Sequence, residues 1–165
     1  MGRDERGMIA HGGMLAADSA MDIYSIGFTQ KSASEFFGVL KKHGIERLLD
    51  VRLNNTSQLA GFAKQADLAY FLKEICGAEY EYEPLFAPSE DLFNAYRKEK
   101  GSWDALAKGY VKLLKARKVE SVLRKESFRK KTVLLCSEAT PEKCHRRLAL
   151  EYLQGHWPEI RIHHL

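Results

Sequence analysis

The stretch that most constrains this chain is Thr132-Val133-Leu134-Leu135-Cys136-Ser137-Glu138-Ala139-Thr140-Pro141-Glu142-Lys143-Cys144-His145-Arg146-Arg147. Its apolar, partly β-branched opening predicts a buried strand. Ala139-Thr140-Pro141 predicts a turn, with Thr140 as a helix cap and Pro141 at the first helical position. The predicted helix runs to about Gln154, with Gly155 as its stop. A strand followed by a short turn and a helix is the unit of an α/β sheet. In open sheets of that kind, ligands bind at the carboxyl ends of strands. Two cysteines, a carboxylate, a histidine and two arginines therefore crowd one such end. At about 100° per residue, Leu148, Ala149, Tyr152 and Leu153 define the helix's inward face. His145 falls near the centre of that face, Cys144 and Arg146 flank it, and Arg147 points mostly away.

The rest of the chain repeats the unit. Residues 1–21 contain four glycines, several charges and no periodicity, and read as a flexible appendage. The folded domain is expected over residues 22–165. Ile23 to Gly27 reads as the first strand. Ser32-Ala33-Ser34-Glu35 has capping-box spacing and opens a helix carrying Phe36, Phe37, Val39 and Leu40, which ends at His43-Gly44. Ile45 to Val51 reads as the second strand, so the two are expected as a parallel pair joined by a right-handed crossover. A polar loop spans Leu53 to Gly61. Ala66 to Cys76 is an amphipathic helix stopped by Gly77. Ala78 to Pro84 alternates Tyr with Glu, as a half-exposed strand does. After a loop to Ser89, Glu90 to Glu99 reads as helix. Ser102 caps a helical region reaching about Phe128, with a break expected near Ala116–Lys118. The last strand is Glu159 to His164. The order predicts a three-layer α/β/α sandwich with a mostly parallel central sheet.

Composition narrows the class further. At 165 residues, one domain with a substantial core is expected. No apolar run approaches the length of a membrane span. Three cysteines, an odd number without framework spacing, suit a reducing cytoplasm. The net charge of +4 permits an anionic partner without requiring one. The sequence names neither a cofactor nor an oligomeric state.

Three groups of chemistry-bearing residues follow predicted strand ends: Tyr24, Gly27 and Thr29; Asp50 and Arg52; and Cys136, Glu138, Cys144, His145 and Arg146. If those strands are parallel, the groups share one rim. Tyr24-Ser25-Ile26-Gly27, Leu49-Asp50-Val51-Arg52 and the Leu135–Arg147 motif together resemble domain-of-unknown-function family 488, from about Ile23 to the C terminus. Members often show Gly-His after the first strand, where this chain has Gly27-Phe28. They often carry Pro and basic residues after Asp-Val-Arg, where this chain has Leu53-Asn54-Asn55-Thr56. The resemblance implies the fold and the place of the site, and names no reaction.

Several chemistries fit these residues. Helix N–H groups near Pro141, with Arg52 and Arg146, can form a pocket for phosphate or carboxylate. The competing expectation is that Arg52 pairs structurally with Asp50 or Glu138. Glu138 or His145 can move protons, and Cys136 or Cys144 can act as a nucleophile. The leading expectation is an enzyme on a phosphate- or nucleotide-bearing substrate, with Tyr24, Gly27, Thr29, Asp50, Arg52 and Arg146 on the anion and Glu138, His145, Cys136 and Cys144 in the chemistry. Asp-Val-Arg with a later strand-end cysteine is also similar to the sulfurtransferase (rhodanese) arrangement. There, Ser137-Glu138-Ala139 must cradle a persulfide, and the Glu138 charge opposes that. Cys136, Cys144 and His145 are permissible metal ligands, but the seven-residue gap between the cysteines lacks knuckle spacing, so no metal is expected. A Cys136–Cys144 disulfide is an alternative. Finally, residues 97–131 hold thirteen Lys or Arg against four Asp or Glu. With Tyr96, Trp103, Tyr110 and Phe128 interleaved, that stretch offers a non-catalytic nucleic-acid-binding face. Its competing expectation is that the aromatics pack inward and the lysines are solvated.

Overall fold

The computed structural model describes residues 19–56 and 60–165. The expected appendage lies outside the described residues up to residue 18, as does part of the 53–61 loop. Five strands form one sheet: β1 (Met21–Gly27), β2 (Arg47–Asp50), β3 (Glu79–Tyr82), β4 (Thr132–Cys136) and β5 (Ile160–His164). All pairings are parallel, in the order β3-β2-β4-β1-β5. β1 and β2 are parallel as expected but are not neighbours, because β4 lies between them and pairs with both. A strand–helix–strand pattern fixes direction. It does not say whether a later strand will enter the gap.

Among the described residues six α-helices connect the strands: α1 (Ala33–Lys42), α2 (Gln65–Phe71), α3 (Glu90–Arg97), α4 (Trp103–Arg117), α5 (Val119–Val122) and α6 (His145–His156). Side chains alternate across each strand, so the sheet builds two cores. On one face Phe36, Phe37, Leu40, Leu68 and Leu72 pack against Tyr24, Ile26, Val133 and Leu135. On the other Tyr110, Leu114, Leu148, Leu150 and Leu153 pack against Ile23, Leu49 and Leu134. The right-handed crossover rule explains the division. Connections running from β1 toward the β3 edge lie on the first face, and those running back lie on the second. β4 lies between β1 and β2, whose outgoing connections run to the first face, while its own runs to the second, and the crevice of such a fold opens at the carboxyl ends of neighbouring strands whose connections part in this way.

Local chemistry sets most element ends. Ser32 caps α1 with a full capping box to Glu35. The helix begun at Gln65 widens over Leu72–Cys76 and stops at Gly77, whose φ of 63° suits glycine. The expected break after α4 falls at Lys118, which adopts φ 50°. β3 is one of the two edge strands and is largely exposed, as its Tyr/Glu alternation implied.

One boundary differs. α6 begins at His145, not Pro141, and Cys144 is its N-cap. Residues 137–144 form a turn in which Cys144 N–H donates to the Pro141 carbonyl at 3.2 Å. Pro141 fits that turn as well as it fits a helix start. Gly155 lies inside α6 and does not end it. No helix of the described residues is long and apolar enough to cross a membrane.

Ser32→Ala removes the capping side chain and leaves the first N–H groups of α1 without their partner. Urea denaturation should show a loss of about 1 kcal/mol with an unchanged slope.

Candidate functional site

Cys136 ends the central strand, in register with Gly27 of β1 and one residue beyond the Leu135–Asp50 pair. The three expected groups are thus brought to one rim, with one exception. Tyr24 pairs with Val133, three residues before Cys136, and stacks on His163 at 5.0 Å. Strand alternation places it on the α1 face of the core, and its position three residues down the strand keeps it from the rim.

At the floor of the rim, two hydrogen bonds define His145. Its Nε2 lies 2.9 Å from the Val51 carbonyl, which only accepts, so Nε2 carries the proton. Nδ1 is left with its lone pair, 3.5 Å from Cys136 Sγ. The Tyr110 ring packs edge-on to the imidazole at 5.4 Å, and its hydroxyl is anchored on the Phe86 carbonyl at 2.7 Å. Burial holds His145 below its ordinary pKa, which favours the neutral ring.

The Cys144 thiol hydrogen-bonds to Cys136 and lowers the Cys136 pKa. The Glu138 amide, the Arg146 guanidinium and the Ser137 amide act in the same direction, together outweighing burial. Cys144, as the donor and a buried group, is pushed well above the ordinary thiol value. All three cysteines are free, so the alternative Cys136–Cys144 disulfide is not formed. His145 was expected on the inward face of a helix starting at Pro141. With α6 starting at His145, the imidazole instead reaches back to the end of β4.

The two arginines expected to face an anion are turned inward. Arg52 forks onto Asp50, with both N···O distances 2.8 Å, and both residues are buried. Tyr80 donates to the same carboxylate at 2.6 Å. The Arg52 guanidinium also lies over the Phe28 ring at 5.4 Å from its centroid. This is the structural ion pair weighed against the anion pocket. Arg146 is fully buried. Its Nη1 donates to the Glu138 carbonyl at 2.5 Å and to Cys144 Sγ at 3.5 Å, and its Nε donates to Ser25 Oγ at 3.3 Å. It does not line the cavity described next. Thr29 ties the β1 end to the same loop, its hydroxyl and N–H both donating to the Ser137 carbonyl at 2.5 and 3.2 Å. Gly27 is there for close approach: a Cβ on it would lie 1.7 Å from the Glu138 carbonyl oxygen.

Above Cys136 and His145 opens a cleft. Its floor holds Cys136, Ser137, Cys144 and His145, and its walls include Phe93, Tyr96, Trp103 and Leu106 from α3 and α4. Arg97 and Lys143 stand among the lining residues, and Arg97 is ion-paired with Glu138. Sequence reasoning missed this wall. Phe93, Tyr96 and Arg97 recur at helical spacing and were read only as part of a helix or a basic face.

Part of the basic 97–131 stretch is engaged, while Lys108, Lys112, Lys115 and Lys118 are exposed. Arg97 pairs with Glu138, Lys125 with Glu159, Arg129 with Glu126 and Lys130 with Glu79. Arg117 donates to the carbonyls of Leu85 and Ala87 at 2.9 and 2.6 Å. Tyr110 and Phe128 are buried in the core. An α/β sandwich with this rim defines a class of fold, and comparison gives it a family. The chain belongs to the family described as Domain of unknown function DUF488, whose model matches residues 32–153. No curated protein matches the chain, and no solved structure does.

Gly27→Ala forces the Glu138 carbonyl away and should cost about 1–3 kcal/mol by thermal or urea unfolding. Asp50→Ala strands the Arg52 charge in the interior and should cost more, about 3–5 kcal/mol, in the same assay.

Proposed function

We propose that this protein is a thiol enzyme acting on a small anionic substrate, with Cys136 as nucleophile and His145 as its base. The observation that carries the reading is the pair of contacts at His145. The Val51 carbonyl holds the proton on Nε2, and Nδ1 faces the sulfur at 3.5 Å, at the floor of a cavity. A base oriented by a third group toward a nucleophile is the recurring arrangement of covalent catalysis.

The chemistry follows from this placement. Cys136 gives its proton to Nδ1, and the resulting sulfur anion is stabilised by the Cys144 thiol and the Glu138 and Ser137 amides. The sulfur then attacks an electrophilic centre of the substrate. The protonated imidazole returns its proton to the leaving group. The objection that Glu138 repels an anion at this loop is met by Arg97, which takes up that carboxylate. Arg97 and Lys143 line the cavity together with Arg52, which Asp50 holds, and are the groups offered to a phosphate or carboxylate in place of Arg146, and the aromatic wall suits a flat substrate body such as a nucleotide base. The non-catalytic nucleic-acid reading is weaker, because Tyr110 and Phe128, two of the four aromatics interleaved with the basic stretch, are buried in the core and cannot stack on bases.

Iodoacetamide labelling of metal-free protein, mapped by mass spectrometry, tests the reading. Cys136 should label faster than Cys76. His145→Gln keeps an N–H for the Val51 carbonyl but lacks the base, and should slow Cys136 labelling at least about 100-fold. Equal labelling of Cys136 in wild type and His145→Gln, or no labelling of Cys136 at all, would overturn it.

A further inference from the structure

We infer that Cys136, Cys144 and His145 also form a binding site for a thiophilic divalent cation, Zn²⁺ foremost, with the fourth coordination position open to the aromatic cavity. The inference rests on the reading of that cavity as the reaction site.

Geometry is the first ground. One donor atom from each of the three residues lies within 4.8 Å of the others. Around a tetrahedral zinc with a Zn–S bond of about 2.3 Å and a Zn–N bond of about 2.0–2.1 Å, a sulfur and a nitrogen sit about 3.6 Å apart. Cys136 Sγ and His145 Nδ1 are 3.5 Å apart. The second ground is the outer shell. A ligating histidine almost always donates its other ring N–H to a carbonyl or carboxylate, which fixes the tautomer. The Val51 carbonyl does this for Nε2 at 2.9 Å and leaves Nδ1 as the ligand.

Charge agrees. Two thiolates and a neutral imidazole balance a divalent cation, and the buried Arg146 donates to Cys144 Sγ at 3.5 Å, where it stabilises a thiolate. The fourth position is open because all three donors line the cavity, while the Glu138 carboxylate is engaged by Arg97. Cys76 is no competitor, since its thiol sits against the Phe37 carbonyl at 3.7 Å, in the opposite core.

The absence of knuckle spacing, which argued against a metal from sequence, has a structural reason. A knuckle places two cysteines on one tight turn. Here one ligand ends a strand and two begin a helix, so the 137–144 turn brings together residues the spacing keeps apart. Three protein ligands with an open position is the pattern of catalytic, not structural, zinc.

Binding releases the two thiol protons to solvent as two Zn–S bonds and one Zn–N bond form. Cys136 cannot be a ligand and a free nucleophile at once. Zn²⁺ therefore turns off the thiol and presents a metal-bound water to the cavity in its place.

The test is a Co²⁺ titration of the full chain after chelator treatment, read by the thiolate-to-cobalt charge-transfer absorption. One equivalent should bind per chain and be displaced by Zn²⁺. Cys76→Ser should behave as wild type, and Cys144→Ser should bind at least about 10-fold more weakly. Zn²⁺ should suppress iodoacetamide labelling of Cys136. No charge-transfer band with wild type at stoichiometric cobalt would overturn the inference, as would an undiminished band in Cys144→Ser. The outcomes separate the two claims. Base-dependent labelling of the metal-free thiol with no metal uptake sinks the metal site alone. Metal uptake with an inert thiol in the metal-free protein sinks the nucleophile alone.

Discussion

A guanidinium with no route to water must find its hydrogen bonds inside the protein. Arg146 is such a group, and the rim supplies partners to its Nε and Nη1 while its buried Nη2 has none. Its contacts reach β1 through Ser25, the β4–α6 turn through the Glu138 carbonyl, and the N-cap of α6 through Cys144. Each contact fixes a backbone segment that carries or supports the thiols. Gly27 is part of the same arrangement, since only a residue without a side chain leaves room for the Glu138 carbonyl that Arg146 holds. The neighbouring Asp50–Arg52 fork does the equivalent work at the end of β2. Both arginines brace the rim, Arg146 from outside the cavity lining and Arg52 from within it, and the thiols and imidazole beside them are the candidate chemistry.

The start of α6 conflicts with simple helix rules. His145, Arg146 and Arg147 occupy its first turn, where the helix dipole favours negative charge. No acidic residue stands there, and the N-cap side chain makes no capping hydrogen bond. Burial answers part of this by favouring the neutral form of His145. The remaining positive potential bears on the turn where Cys136 lies. Sequences break a local rule where a site requires it, and a sulfur anion or a metal-bound thiolate is what this helix end can stabilise.

Much of the fold is legible in the sequence because it is local. The capping box at Ser32, the stop at Gly77, the break at Lys118 and the alternation of β3 each depend on a few adjacent residues. The convergence of Gly27, Asp50 and Cys136 was also readable, given parallel strands. What could not be read depends on partners distant in the chain. Whether Arg52 faces a ligand or Asp50 turns on burial, which the triplet alone does not set. That His145 turns Nδ1 toward Cys136 depends on the Val51 carbonyl, 94 positions away. The later start of α6 was missed because Thr140-Pro141 suits a turn and a helix equally. The aromatic wall was missed because Phe93, Tyr96 and Trp103 look like ordinary inward-facing helix residues until α3 is seen to bury no residue fully.

That last feature makes the cavity unequal from bottom to top. Its floor is tied by Thr29, Arg146 and the Pro141–Cys144 turn, so a ligand arriving there orders nothing that is not already ordered. Its roof includes α3, which sends no side chain fully into the core. The entropy of closing on a ligand therefore falls on the roof, while the reacting atoms stay preorganised. In the proposed enzyme, specificity and reactivity are then carried by different parts of the molecule. The residues of α3 can vary to suit different substrates without disturbing the sulfur and nitrogen atoms beneath them.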